Sequence, residues 1–463
     1  MEIGKFILIV VSALFISLSA CKLETEDKVA TEKPRLIVCT DIGGYPDDRQ
    51  SLVRLLLYSN EFDIEAIITS SSGTPGEPGI DTVQPGIIHE YIDAYSEVYP
   101  MLMLHSSLYP DPGVLSRKVI KGNRARGVEN IGKGNDSEAS EAIIAISDMK
   151  DERIINISIW GGQTDLAQAL WKVKNSRSKE EYGKFISKLR IYDNNDQDEL
   201  YTYLRKENPG LFYILSKAPE NSDQKEAVNS GMYLGGNMHN TTLEWINENI
   251  IKDHGPLGSL YPDRTRTEPN PHGAMKEEDT PSWFYFLENG LQDADHPEWG
   301  GWGGRFMPDS ASFYRDAEDF GIDGISATAG VYRWREYYQN DFEARMDWCT
   351  NDYEHSNHPP VVIVSGDKSR YPLMVDASPG EYLTISAYDS YDPDNDGLDF
   401  YWWTYPEAGT NQVCPELENN LSPEVSFLVP EGEEGNDIHL ICEVSDKGSP
   451  VLTGFRRIIV RIR

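Results

Sequence analysis

The chain has 463 residues, with 76 Asp and Glu against 42 Lys and Arg and a net charge of −34. So acidic a balance excludes a nucleic-acid backbone as partner, which needs Lys and Arg to neutralise phosphates, and favours solubility and cation attraction. The length exceeds one ordinary core and predicts two domains or one large domain with an appendage, and five scattered cysteines exclude a disulfide framework.

The chain begins with a basic Lys5, an apolar run of roughly thirteen residues from Phe6 to Leu18, too short for a membrane span, and then Leu-Ser-Ala-Cys at 18 to 21. This pattern predicts a secretory signal over residues 1–21. It resembles a bacterial lipoprotein signal, which implies lipidation of Cys21 and an exported protein anchored in the cell envelope, at the outer membrane and facing the periplasm or the surface. Residues 22–34 are polar and aperiodic and read as a tether.

An apolar strand then enters Thr-Asp-Ile-Gly-Gly-Tyr-Pro-Asp-Asp at 40 to 48, and Leu52, Leu55 and Leu56 mark the helix that follows. A strand over Ile64–Ser70, a helix over Ser137–Met149, a strand over Ile154–Trp160 and a helix over Thr164–Lys174 continue the alternation. A strand near Leu189–Tyr192 and helices near Leu200–Glu207 and Leu243–Ile251 complete it. Alternating strands and helices predict an α/β fold, a mostly parallel sheet with flanking helices and a ligand site at the carboxyl ends of the strands. The Pro pair after Asn357-His358 marks a boundary, and the short alternating runs beyond it predict an all-β, immunoglobulin-like sandwich over 358–463. Cys414 and Cys442 suit either a disulfide or two separate thiols, and the acidic turn at 392 to 397 reads as solvated, with no metal assigned.

Asp41, Asp47 and Asp48 are the first candidates for chemistry. Crowded carboxylates repel unless a cation lies between them, and Ca²⁺ takes about six to eight oxygen ligands. The same acids would also suit a solvated turn at a helix start. The polar run Asp193 to Asp198, with Asn195, Asp196 and Asp198, is a candidate for substrate binding at a strand end. Trp302 and Arg305, in a loop rich in Gly and Trp, suit stacking on a sugar and gripping its hydroxyls, or bracing the loop itself. His254 is a candidate proton donor, although a lone loop histidine also has structural uses.

The run at 40 to 48 resembles the amino-terminal aspartate motif of nucleoside hydrolases, with two extra residues before the Asp pair. Ile-Trp-Gly-Gly-Gln-Thr-Asp-Leu-Ala-Gln-Ala-Leu at 159 to 170 is similar to that family's glycine loop and the helix after it, and Glu278-Asp279-Thr280-Pro281 to its distal aspartate. The resemblance implies Ca²⁺ held by Asp41, Asp48, Asp279 and the Trp160 carbonyl, with Asp41 as general base and Asp47 on a sugar hydroxyl. Where many nucleoside hydrolases carry a histidine serving the leaving base, this chain has Glu278, and the residues that grip ribose have no clear counterpart. Those departures argue against a nucleobase as leaving group.

Stretches such as Gly-Asn-Asp-Ser-Glu-Ala-Ser at 134 to 140 and His-Pro-Glu-Trp-Gly-Gly-Trp-Gly-Gly-Arg-Phe at 296 to 306 resemble a bacterial family of cellulose-binding proteins. Its members join a nucleoside-hydrolase-like domain, here 35–357, to a carboxy-terminal sandwich. The expected function is calcium-assisted hydrolysis of a furanoside-like or other glycosyl bond, with direct attack by water and with Glu278 or His254 protonating the leaving oxygen. The alternatives are a non-catalytic polysaccharide-binding surface lipoprotein and a nucleoside N-ribohydrolase. A carbohydrate or glycoside is the expected partner, together with the membrane through the lipid anchor.

Overall fold

Every residue of the first strand, Arg35–Thr40 (β1), is buried, as expected of a strand covered on both faces. Leu36 and Val38 enter one core and Ile37 and Cys39 the other, the two-residue period of a pleated strand. The computed structural model describes residues 32–72, 82–264 and 274–463, so the signal, Cys21 and most of the tether lie outside the described residues. No helix among the described residues is long and apolar enough to cross a membrane.

Seven further strands join β1: Asp63–Thr69 (β2), Val119–Lys121 (β3), Ile155–Ile159 (β4), Leu189–Asn194 (β5), Phe212–Ser216 (β6), Phe306–Ser310 (β7) and Phe313–Asp316 (β8). They form one sheet in the order β3-β2-β1-β4-β5-β6-β8-β7, parallel throughout except for β7 against β8. Helices Asp47–Leu57, Glu138–Ser147 and Gln163–Ser176 fall where periodicity predicts them. The segment expected as one helix over Leu243–Ile251 is an α-helix at Leu243–Ile246 followed by a π-helical turn at Asn247–Ile251.

After a small hairpin of Asp319–Gly321 (β9) and Gly324–Ser326 (β10), the chain builds its second β-structure from Leu373–Ala377 (β11), Tyr382–Ser386 (β12), Asp399–Thr404 (β13), Glu424–Leu428 (β14), Asp437–Ser445 (β15) and Thr453–Ile462 (β16). A four-stranded sheet, β11-β16-β15-β13, packs on the β12-β14 ribbon through Ile385, Trp402, Phe427 and Leu440. Cys414 is exposed and Cys442 buried, and both are free thiols. In the acidic turn Asp392 accepts from the amides of Asp394 and Asp396, a local turn geometry.

Lys33–Arg463 form one compact unit, with an extensive apolar and polar seam between the two β-structures. Phe455 of β16 packs edge-on against Trp302, Trp334 and Tyr337. The buried Arg457 donates to the carbonyls of Leu291, Trp299 and Gly300. Tyr405 donates its hydroxyl to Asp319.

Candidate active site

The site begins where β1 ends. Asp41 leaves the strand and the chain turns through Pro46 into the helix Asp47–Leu57, whose first turn carries Asp47 and Asp48. Acids are favoured there by the partial positive charge of the helix amino terminus. Thr40 donates its hydroxyl to Asp48, so the strand's last residue fixes the second acid of the helix.

The next turns of the same helix hold the segment that brings in the distal acid. Gln50 donates to the carbonyl of Ala274 at 2.7 Å and accepts from the amide of Lys276 at 2.9 Å. Arg54 pairs with Glu277 at 2.5 Å, both fully buried. Asp279 then stands at the start of the helix Thr280–Phe284, and carboxylate oxygens of Asp47, Asp48 and Asp279 lie within 4.8 Å of one another, all three side chains buried. Asn194, at the end of β5, donates to Asp279 at 3.2 Å.

Asp41 flanks this triad, with Arg126 at 3.6 Å. A Cβ on Gly161 would stand 2.6 Å from the Asp41 carboxyl carbon, so only glycine lets the β4 turn pass so close, and Gly162 beside it has φ +89°, a left-handed conformation. The Trp160 carbonyl, expected to face the metal, accepts from the side chain of Gln197. The compact triad thus differs in one member from the expected ligand set, with Asp47 in it and Asp41 beside it.

The electrostatics favour a cation. Burial first, then repulsion from Asp41 and Asp47, pushes the Asp48 carboxyl well above its usual range. Burial and repulsion from Asp48, Asp47 and Asp41 do the same to Asp279. Ca²⁺–oxygen distances of about 2.3–2.6 Å would place opposed ligand oxygens about 5 Å apart, so the triad's spacing and its all-oxygen chemistry fit a hard divalent cation. One cation is already built in: Lys276 bridges Asp47 at 2.8 Å and Glu278 at 3.0 Å, and its ammonium lies 5.1 Å from the centre of the Tyr45 ring. Burial opposes its charge, but Asp47 and Glu278 outweigh burial and hold the ammonium well above its usual range. Tyr233 donates to the other oxygen of Glu278 at 2.6 Å.

These groups form the floor of a polar cleft of about 800 Å³ whose wall includes Asn195, Gln197 and the loop from Lys217 to Lys225. Of the polar run after β5, Asn195 lines the cleft. Asp196 and Asp198 serve the scaffold instead: Asp196 accepts from the amide of Tyr201 and from Gln163, and Asp198 from the amide and hydroxyl of Thr164.

Nor do His254, Trp302 and Arg305 line the cleft. His254 binds Asp347 at 3.1 Å in the helical layer. Trp302 is buried against Phe284, Tyr338 and Phe455, and Arg305 pairs with Asp319 at 2.5 Å and donates to the Glu318 carbonyl. Their loop is rich in glycine because it packs tightly: a Cβ on Gly301, Gly303 or Gly304 would stand 2.1, 2.4 or 2.2 Å from Gln292, Tyr285 or Val228, respectively. Lys276 and Tyr233 escaped sequence reasoning, whereas Asn194 and Gln197 belong to the polar run singled out at the end of β5. Only Lys276 left a signal, a lone cation two residues from the Glu278-Asp279 pair.

The model of the family described as "Cellulose-binding Sde182, nucleoside hydrolase-like domain" matches residues 35–306, and that described as "Cellulose-binding protein Sde0182, C-terminal domain" matches 382–462. The chain belongs to this cellulose-binding, nucleoside-hydrolase-like family. A solved structure of a nucleoside hydrolase-related protein from Saccharophagus degradans, described as associated with carbohydrate metabolism, is 33% identical. It covers 93% of this chain and 100% of its own, with a TM-score of 0.76. A PKD domain from the KIAA 1837 protein covers 20% of this chain and 81% of its own at 14% identity, and its TM-score of 0.16 carries no argument. No curated protein matches.

Proposed function

We propose that this chain is a Ca²⁺-dependent glycoside hydrolase that cleaves a furanoside-like or other glycosyl bond in the acidic cleft. The observation that carries the reading is the buried Asp47, Asp48 and Asp279 triad on the floor of an 800 Å³ polar cleft. Such a cluster is costly to bury without a cation, so a fold that served only as a glycan platform would gain nothing from keeping it. The triad would hold the ion, with Asp41 and the Trp160 carbonyl beside it. Bound there, Ca²⁺ supplies a Lewis-acidic centre for water and vicinal sugar hydroxyls.

Asp41 takes the proton of the attacking water, from a position that Gly161 keeps clear. Asp47, immobilised by Lys276, accepts a hydrogen bond from a ring hydroxyl as positive charge develops on the sugar. Of the two donors expected for the leaving oxygen, Glu278 stands at the cleft; its carboxylate accepts from Lys276 and Tyr233, so it must take up a proton before it can pass one to the leaving oxygen. Direct attack by water inverts the anomeric centre.

The decisive assay incubates the purified protein, with and without EDTA, with aryl furanosides, nucleosides and plant or algal oligosaccharides, alongside Asp48→Ala. Sugar release that EDTA and the variant both abolish is the expected result. The family's description as cellulose-binding favours a second reading, retention of cellulose without cleavage. Glycan retention indifferent to EDTA and to Asp48→Ala, with no product from any substrate, would establish that reading in place of the first. The lipoprotein-like start supports export and anchoring through Cys21, and Cys21→Ser is expected to release the protein from the membrane fraction.

A further inference from the structure

A second concavity, of about 650 Å³, opens where the edge strand β13 meets the helical end of the hydrolase-like part. Strand periodicity builds its wall. Trp402 enters the sandwich core, so its neighbours Tyr401 and Trp403 face the other way. Trp403 lies 5.8 Å from Trp334, centre to centre, and its indole N–H donates to Glu443 at 2.8 Å. The Tyr337 hydroxyl donates to the other Glu443 oxygen, also at 2.8 Å. On the rim Tyr401 is 44% exposed and Phe320, on the β9–β10 hairpin, 62%. The indole N–H of Trp334 and the hydroxyl of Tyr332, both on buried side chains lining the groove, have no hydrogen-bond partner.

This combination selects its occupant. Exposed aromatic faces beside a carboxylate and a guanidinium match a ligand whose units have an apolar face and a hydroxyl-bearing edge. Pyranose rings in an extended β-linked chain have that form. A polyanionic glycan would approach a protein of net charge −34 against repulsion, whereas an uncharged one would not. We infer that the groove between β13 and the β9–β10 hairpin is a binding site for an uncharged β-linked glucan chain, separate from the acidic cleft. The inference rests on the family's carbohydrate reading and not on hydrolysis in the cleft.

The test measures binding of cellohexaose by calorimetry and retention on swollen cellulose, using the full chain. Phe320→Ala with Tyr401→Ala removes two exposed rings without touching the core, and unchanged thermal unfolding verifies the fold. The expected result is a Kd raised at least about tenfold and loss of retention. Trp403→Phe, which keeps a ring but loses the donor to Glu443, is expected to fall between. Parent-like binding by the double variant would overturn the site, as would binding lost only in Asp48→Ala or a parent that binds no glucan. Sugar release abolished by EDTA, in a protein whose groove variants bind normally, would refute the groove and leave the cleft reading standing. Retention lost in the double variant, with no sugar release from the parent, would do the reverse.

Discussion

Asp48→Asn should stabilise the protein without Ca²⁺ and lose most or all of that advantage with it. The amide keeps the size of the carboxylate and an oxygen to accept from Thr40, so the change is chiefly one of charge. Asp47 and Asp279 offer oxygens within 4.8 Å. At an effective dielectric of about 20, each like-charge pair at that separation costs roughly 3 kcal/mol. Proton uptake by Asp48 and Asp279, already favoured by their surroundings, caps what can be recovered. In EDTA at neutral pH the variant is therefore expected to be about 2–4 kcal/mol more stable than the parent in urea unfolding. With Ca²⁺ at a hundred times its Kd the parent gains about 2.7 kcal/mol, whereas the variant gains little. The order of the two unfolding midpoints should thus narrow sharply or invert between conditions. An equal loss of stability in both would refute the claim that these carboxylates repel one another around a cation site.

Lys276→Met leaves the buried Asp47 and the half-buried Glu278 without their shared cation and should destabilise by about 3 kcal/mol in EDTA. Adding Glu278→Gln should recover part of that loss in the same unfolding assay. Gly161→Ala forces the Asp41 carboxyl aside and should lower EDTA-sensitive sugar release about a hundredfold with little change in unfolding. Asp165, buried beneath the cleft, is pushed up to about 6 by burial, against hydrogen bonds from Ser137 and Asn123. Its folded-state value lies above the unfolded one near 4, so its contribution is fully present below about pH 4 and is lost as pH rises through 6. The stability difference between parent and Asp165→Asn, followed by urea unfolding from pH 4 to 7.5, should therefore shift against the parent by about 3 kcal/mol. A difference independent of pH would remove Asp165 from the account.

Much of the sheet was legible because β1, β2, β4 and β5 are apolar runs, and β1 and β4 lead into helices with clear stripes. The helix Arg335–Asp347 was not, because it is enclosed on several sides and buries Arg335, Gln339 and Arg345 through hydrogen bonds, which erases the apolar stripe. The helix Pro85–His105 carries Pro100 in its interior, and proline reads as a helix stop. At the site, Asp41, Asp47 and Asp48 were legible because they come within a few residues of an apolar strand, and Asp279 because Glu278-Asp279-Thr280-Pro281 matched a family motif. Lys276 and Tyr233 come from segments without regular periodicity, and their partners become visible only in three dimensions. Trp302 and Arg305 misled for a related reason: the glycines that allow a ligand close to a backbone also allow another part of the same chain there.

The seam formed by Phe455, Arg457 and Tyr405 bears on how the protein can be made. A chain cut at Asn357 would strip Phe455 from Trp302, Trp334 and Tyr337 and leave the carbonyls of Leu291, Trp299 and Gly300 without the Arg457 guanidinium. The truncated product would present a raw aromatic surface to chaperones and to its own copies. The hydrolase-like part and the sandwich therefore have to be synthesised and inherited together.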